Sequence, residues 1–226
     1  MIYYDKVSKI YSPTSTALED VSLTIEPNEF VSLVGPSGAG KTTLLRMLLA
    51  EEKPTSGTVF FESINVHSLR RSELPKLRRK IGIVFQDFKL LPNKTSYENI
   101  AFAMEAAGKT PEEIESDVPQ VLELVGLIDK SWHFPEELSG GEKQRVAIAR
   151  AIINQPEVVI ADEPTGNLDP VNTWDVINIL KKINELGTTV ILSTHNKSVI
   201  DSLNKRVVTI EKGKIIRDDK KGRYVL

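Results

Sequence analysis

The stretch Gly35-Pro36-Ser37-Gly38-Ala39-Gly40-Lys41-Thr42 constrains this chain more than any other. It fits the phosphate-binding pattern G-x-x-x-x-G-K-[ST] without a mismatch. Before it, Phe30 to Val34 is short and apolar enough for a buried strand, and after it Thr43 to Ala50 is rich in helix formers. Strand, glycine turn and helix come in the order the chemistry needs. The glycines let the backbone curl with its N–H groups pointing inward, and the helix N-terminus adds positive potential for an anion. Lys41 is placed to reach the β- and γ-phosphates of a nucleotide, and the Thr42 hydroxyl to bind Mg²⁺.

The rest of the chain alternates strand and helix patterns. Residues 2 to 27 read as two short strands around the turn Ser12-Pro13-Thr14-Ser15. Further strands are expected at 57–61, 81–85, 158–162 and 188–193, and a hairpin across Lys212-Gly213. Between Asp87 and Gln155 the pattern turns helical, with helices over 96–107, 111–125 and 142–153. Pro119 is expected to break or restart the second of these. Helices over 173–186 and 198–203 complete the reading. Such alternation gives an α/β protein with a mostly parallel sheet and ligands at the carboxyl ends of its strands.

Composition narrows the chemistry. Among 226 residues there is no cysteine, which excludes disulfides, thiol catalysis and zinc–thiolate sites. The net charge of −2 gives no bulk attraction to nucleic acid. The basic run from Arg70 to Lys80 has no interleaved aromatics, so it reads as a solvated helix face before a lipid or nucleic-acid contact. The N-terminus lacks the apolar core of a signal peptide, and no apolar run approaches the length of a membrane span. A cytoplasmic location is the expectation.

Four polar groups fall at strand ends: the glycine loop, Gln86, Asp162-Glu163 and His195. Asp162 suits the outer shell of a hard cation. Glu163, the next residue, is expected to point the other way along the pleat, where a carboxylate could polarise a water for attack on a γ-phosphate. Leu138-Ser139-Gly140-Gly141-Glu142 is a capping box, with Ser139 capping and Glu142 three residues on. A capping box does not need two glycines. Gly140 and Gly141 bare the amides of a helix N-terminus and make a second anion cradle. Two copies paired in opposite orientation could each lend Ser139 to the other's ATP.

Tyr11, the loop 35–42, Gln86, the stretch Leu138 to Arg145, Val158 to Glu163, Asn167-Leu168-Asp169-Pro170 and His195 together resemble an ABC-type ATPase, over nearly the whole chain. The resemblance implies a P-loop NTPase core with an N-terminal antiparallel β-subdomain, over 1–86 and 156–226, and an inserted helical signature subdomain over 87–155. It implies that ATP lies on Tyr11, whose ring stacks on adenine, and on Gly35, Pro36, Ser37, Gly38, Ala39, Gly40, Lys41, Thr42 and Thr43. It implies Mg²⁺ on Thr42, Gln86 and Asp162. Glu163, His195 and Gln86 form the catalytic set, with His195 on the γ-phosphate and Gln86 linking cation and water to a membrane partner. Ser139, Gly140, Gly141 and Glu142 close the ATP of the opposite subunit, and Asp169 crosses the dimer interface.

The segment Val84 to Thr95, with Tyr97-Glu98-Asn99, Ala161 to Pro170 and Arg217-Asp218, is similar to the cell-division branch of that family. The implied partner there is an FtsX-like integral membrane protein, thought to switch on cell-wall hydrolases rather than move a solute. Glu62-Ser63-Ile64-Asn65 departs from that pattern, where relatives often place a Gly or Asp turn. The alternatives are an exporter or lipoprotein-release ATPase with the same chemistry, and a nucleotide-gated structural protein with little turnover. Phe88, Leu90 and Leu91 are apolar residues in a loop. They can pack into the helical lobe or line a groove for a short helix of a partner.

Overall fold

A computed structural model describes residues 1–223, so the last three residues of the 156–226 segment lie outside the description. The chain opens with β1 (Ile2–Ser12) and β2 (Ser15–Ile25), each eleven residues long rather than short, paired antiparallel from Ile2↔Ile25. Then come β3 (Phe30–Val34), α1 (Lys41–Leu48), β4 (Ser56–Phe61) and the two-residue β5 (Ile64–Asn65). Glu62 and Ser63, between β4 and β5, both have positive φ (48° and 67°). That two-residue turn favours Gly, Asn or Asp, which is why the departure there is visible in the sequence.

The chain continues through α2 (Leu74–Arg79), β6 (Ile81–Phe85), α3 (Ser96–Ala107), α4 (Pro111–Leu124), α5 (Gly140–Ile152) and β7 (Val158–Asp162). It closes with α6 (Pro170–Glu185), β8 (Thr189–Ser193), α7 (Lys197–Leu203), β9 (Arg206–Glu211) and β10 (Lys214–Asp219). Two sheets result. One is antiparallel, in the order β2-β1-β4-β5. The other runs β10-β9-β3-β8-β7-β6, parallel except for the antiparallel edge β10.

The parallel sheet is buried on both faces, which is why its strands read as unbroken apolar runs. Alternate residues of β7 serve different cores. Val158 and Ile160 face the cluster shared with the antiparallel sheet and α1, including Tyr4, Leu44 and Met47. Val159 and Ala161 face the cluster built with Ile148, Val176 and Leu180. A third cluster, around Ile100, Met104, Val118, Leu122 and Val146, belongs to the helical segment. Leu90 packs against that cluster, so part of the apolar loop after Gln86 is absorbed by the helices.

Two expectations are corrected and a third holds. Pro119 does not break α4, which runs on through it. Ile114, Val118 and Leu122 give the helix a continuous buried stripe that outweighs one lost hydrogen bond, and the Gln120 side chain donates to the Ser116 carbonyl (3.0 Å). The helix after Asp169 begins at Pro170, not Thr173, because Asp169 caps it and proline suits the first helical position. The basic run is helical only over the six residues of α2, and Arg70, Arg71, Lys76, Arg78, Arg79 and Lys80 are all exposed, as a solvated face requires. Lys80 bridges Glu62 (2.5 Å) and Glu157 (2.8 Å), and Arg78 Nε donates to the Leu49 carbonyl (3.2 Å).

One glycine ties the helical segment to the sheet. A Cβ on Gly82, the second residue of β6, would stand 2.3 Å from the Ala151 carbonyl oxygen of α5. Backbone cannot yield there as a flexible side chain would. Gly82→Ala is expected to cost about 1–3 kcal/mol, the usual range for overpacking. A urea midpoint that falls accordingly checks it.

Candidate functional site

The loop between β3 and α1 needs its glycines for geometry. Gly35, Gly38 and Gly40 have φ of 149°, 78° and 107°, a region that favours residues without a Cβ. At Gly35 the space is also closed, since a Cβ would lie 2.0 Å from the Ile210 carbonyl oxygen. The hairpin turn before β10 braces the loop, with Gly213 N–H donating to the Ala39 carbonyl (3.1 Å). Lys41 is buried, and its Nζ donates to the carbonyls of Gly35 (2.7 Å) and Pro36 (3.1 Å). The loop thus holds a cation in its mouth at the N-terminus of α1, the electrostatics of an anion site.

A cavity of about 550 Å³ opens over this loop. Residues Pro36 to Thr43 line it, together with Gln86, Asp162, Glu163 and His195. The four strand-end candidates therefore meet in one place, at the carboxyl edge of β3, β6, β7 and β8. Thr42 Oγ1 donates to Asp162 Oδ2 (3.0 Å), while Asp162 Oδ1 is buried without a hydrogen-bond partner. One hydroxyl, one carboxylate and one spare buried lone-pair donor suit a hard divalent cation.

Glu163 does not point away from Asp162 as the pleat predicts. Its φ is +50°, so the chain leaves the strand in a left-handed turn and both carboxylates line the same cavity. Glu163 N–H donates to the Ser193 carbonyl (2.8 Å), which fixes that turn. A left-handed glutamate is backbone strain concentrated at a polar site. Its Oε1 lies 3.0 Å from His195 Nδ1, so the acid and the imidazole form a pair at the cavity edge.

Gln86 is exposed just past β6 and is held lightly. Its Nε2 donates to Asn167 Oδ1 (3.4 Å), and Asn167 Nδ2 donates back to the Gln86 carbonyl (3.4 Å). A Cβ on Gly166 would come within 2.7 Å of that Nε2, so Gly166 makes room for the side chain.

The second glycine turn lies elsewhere. Ser139 caps α5, its Oγ accepting from Glu142 N–H (3.3 Å) while Ser139 N–H donates to Glu142 Oε2 (2.7 Å). The backbone hydrogen bond from Ser139 holds the Glu142 carboxyl below its usual range. None of Ser139, Gly140, Gly141 and Glu142 lines the cavity around Lys41. Gly141 has a packing reason that the sequence reading did not give it: a Cβ there would meet Asn172 Oδ1 at 1.8 Å. At Gly140 a Cβ would meet only ordinary contacts, with Leu168 Cδ2 at 3.6 Å. Asp169 caps α6 through Val171 N–H (2.9 Å) and Asn172 N–H (3.1 Å), and the Asn172 side chain also donates to it. That side-chain contact, with the backbone bonds, keeps the Asp169 carboxyl below its ordinary value.

Tyr11 is not among the residues lining the cavity. It is 54% exposed, with Lys9 Nζ 5.0 Å from its ring centroid. Two lining residues were not singled out from the sequence, Ala17 on β2 and Ser193 at the end of β8. Ser193 was legible in principle, since it ends a strand beside Asp162. Ala17 was not, because only the packing of the antiparallel sheet brings it to the loop.

Comparison with known proteins gives the family. The family model described as ABC transporter matches residues 18–166. The cell division ATP-binding protein FtsE of Bacillus subtilis is 52% identical over 224 residues, covering 99% of this chain and 98% of that protein. Its namesake in Mycobacterium tuberculosis is 52% identical over 225 residues, covering 99% and 98%. Among solved structures, a dimeric post-hydrolysis state of the ATP-binding cassette MJ0796, bound to ADP and Pi, superposes with a TM-score of 0.87 at 37% identity, covering 99% of this chain and 100% of that one. With a glycine loop, paired carboxylates and a capped second glycine turn in these positions, and a family match over more than half its length, this chain belongs to the ABC transporter family of ATPases.

Proposed function

We propose that the protein is the ATP-hydrolysing subunit of a cell-division complex, closing as a homodimer on ATP and driving an FtsX-like integral membrane protein. One observation carries the dimer. The cavity of a single chain gathers Lys41, Thr42, Gln86, Asp162, Glu163 and His195 but not the cradle at Ser139 and Gly140. A nucleotide on one chain therefore leaves the second cradle free for the nucleotide of another copy. The cell-division assignment rests on relatives of that name at 52% identity over nearly their whole length.

Each residue has a task in this reading. The amides from Pro36 to Thr43 and the Lys41 ammonium bind the phosphates, and Tyr11, open on the surface, offers a ring for the base. Thr42, Gln86 and Asp162 hold Mg²⁺, and the orphaned Asp162 Oδ1 is the atom that best fits it. Bound there, the cation neutralises charge on the phosphates. Glu163 takes a proton from the attacking water, and His195, already against Glu163 Oε1, orients the acid and reaches toward the γ-phosphate. Ser139, Gly140, Gly141 and Glu142 present the N-terminus of α5 to the other copy's ATP, and Asp169 sits on the dimer interface.

The helical segment 87–155 acts as a signature subdomain against the core formed by 1–86 and 156–226. The partner docks in a groove of about 480 Å³ whose lining includes Phe85, Leu91, Phe102 and Arg150, with Phe102 46% exposed. Among the described residues no helix is long and apolar enough to cross a membrane. The protein is cytoplasmic in this reading and sits at the inner face of the membrane through its partner.

A pull-down from solubilised membranes with Glu163→Gln protein and Mg-ATP tests the assignment. Recovery of a four-span membrane protein with a large extracellular loop is the expected result. Recovery of an exporter permease or a periplasmic-adaptor assembly would overturn the cell-division role and leave the ATP chemistry standing.

A further inference from the structure

The loop after Gln86 has an unusual backbone. Phe88 and Lys89 both carry positive φ (58° and 48°), and neither is glycine. Two consecutive left-handed residues with side chains persist only where their surroundings over-determine them. What holds them comes from α5. Arg150 Nη1 donates to the Lys89 carbonyl (2.7 Å) and Nη2 to the Phe88 carbonyl (3.0 Å). The two ends of one planar guanidinium thus grip two successive carbonyls. On the other side of the glutamine, Gln144 Nε2 of the same helix donates to the Phe85 carbonyl (3.3 Å). Gln144 is fully buried. Helix α5 therefore holds the chain both before and after Gln86, while among the described residues Gln86 itself has two hydrogen bonds, both 3.4 Å and both to Asn167.

Arg150 is placed at three things at once. It sits ten residues along the helix that Ser139 caps, it grips the loop that carries Gln86, and it lines the groove with Phe85 and Leu91. Partial burial pushes its guanidinium pKa down, and among the described residues no carboxylate bridges it, while its two hydrogen bonds go to the two carbonyls. Arg150 is half-buried, so its cation is only partly shielded from water, and the fork is a geometry that lysine cannot reproduce.

We propose that Arg150 is a positioning residue for Gln86, locking the loop that follows the glutamine to the signature helix so that the groove, the helix and Gln86 move as one unit. The inference rests on the ATPase reading above and adds a residue to it. Movement of α5 against the core is carried to Gln86 through the fork, and a helix seated in the groove presses on the same guanidinium. Arg150 acts through Gln86 and does not touch the phosphate cavity, whose lining does not include it. Its loss therefore lowers turnover without weakening ATP binding.

The test is a double-mutant cycle on the full chain, read by single-turnover hydrolysis of Mg-ATP and by nucleotide titration. Arg150→Lys keeps the charge and loses the fork. It is expected to slow hydrolysis about tenfold or more while ATP affinity stays within about twofold, the pattern of an interaction made only in the transition state. Combined with Gln86→Ala it should be no slower than Gln86→Ala alone, because both changes break one path. Arg150→Gln, which keeps an amide donor without the charge, is run beside it and should show the same non-additivity if the lysine variant folds poorly. Slow Gln86→Ala with wild-type rates for both Arg150 variants would overturn the inference and leave the ATPase reading intact. So would Arg150 and Gln86 effects that multiply. Wild-type hydrolysis by Gln86→Ala would remove the role of Gln86, and this inference with it.

Discussion

Glu163→Gln is expected to bind ATP as the parent does and to lose turnover by about 10²–10⁴-fold, the usual worth of a general base. At 25 °C that is roughly 3–5 kcal/mol of barrier. The substitution is close to isosteric, so the left-handed turn at φ +50° and the Glu163 N–H bond to the Ser193 carbonyl can persist. The amide oxygen can still accept from His195 Nδ1, which keeps the 3.0 Å contact. What disappears is the negative charge that takes the proton from water. In the proposed reading phosphate binding rests on Lys41 and the loop amides and should be untouched. The variant should therefore accumulate with ATP bound, as a dimer. Turnover at the parental rate would contradict the role given to Glu163 and return that residue to a surface carboxylate.

The second large effect is at Ser139. Ser139→Arg removes the hydroxyl that accepts from Glu142 N–H, at a cost of about 1 kcal/mol for a lost N-cap. The fold should survive that. The new side chain also fills the space before the N-terminus of α5 and sets a cation against the positive end of the helix. Because Ser139 does not line the cavity around Lys41, the monomer should bind ATP with unchanged affinity. Pairing of two chains should weaken by about 100-fold or more, near 3 kcal/mol in association free energy. Nucleotide titration and sedimentation on the same sample separate the two effects. Normal ATP-dependent dimers would refute the placement of Ser139 at the partner's nucleotide.

Much of this site is legible before any coordinates, and the reason is local. The loop 35–42, the strand ending at Asp162 and the capping box at Ser139 are each contiguous, and short-range sterics and hydrogen bonding specify them. The parallel sheet follows from unbroken apolar runs, and its carboxyl edge then gathers Gln86, Asp162, Glu163 and His195. The errors arise where a distant neighbour decides. Glu163 turns toward the cavity because the Ser193 carbonyl, thirty residues on, fixes its N–H, and nothing in a non-glycine residue announces positive φ. Gly141 has a packing role besides the cradle read from the sequence, because its missing side chain makes room for Asn172 on another helix. Pro119 should end a helix by its own chemistry, and tertiary packing of Val118 and Leu122 overrides it. Arg150, an ordinary arginine in a helical pattern, becomes informative only when its two carbonyl acceptors are seen.

The central claim is that ATP joins two copies through a cavity on one and the capped helix of the other. Sedimentation equilibrium of the Glu163→Gln protein, with and without Mg-ATP, tests it most directly. The account predicts the chain mass without nucleotide and twice that mass with Mg-ATP, with the dimer lost again on adding Ser139→Arg. A single-chain mass at saturating Mg-ATP, or a dimer indifferent to nucleotide, would contradict it.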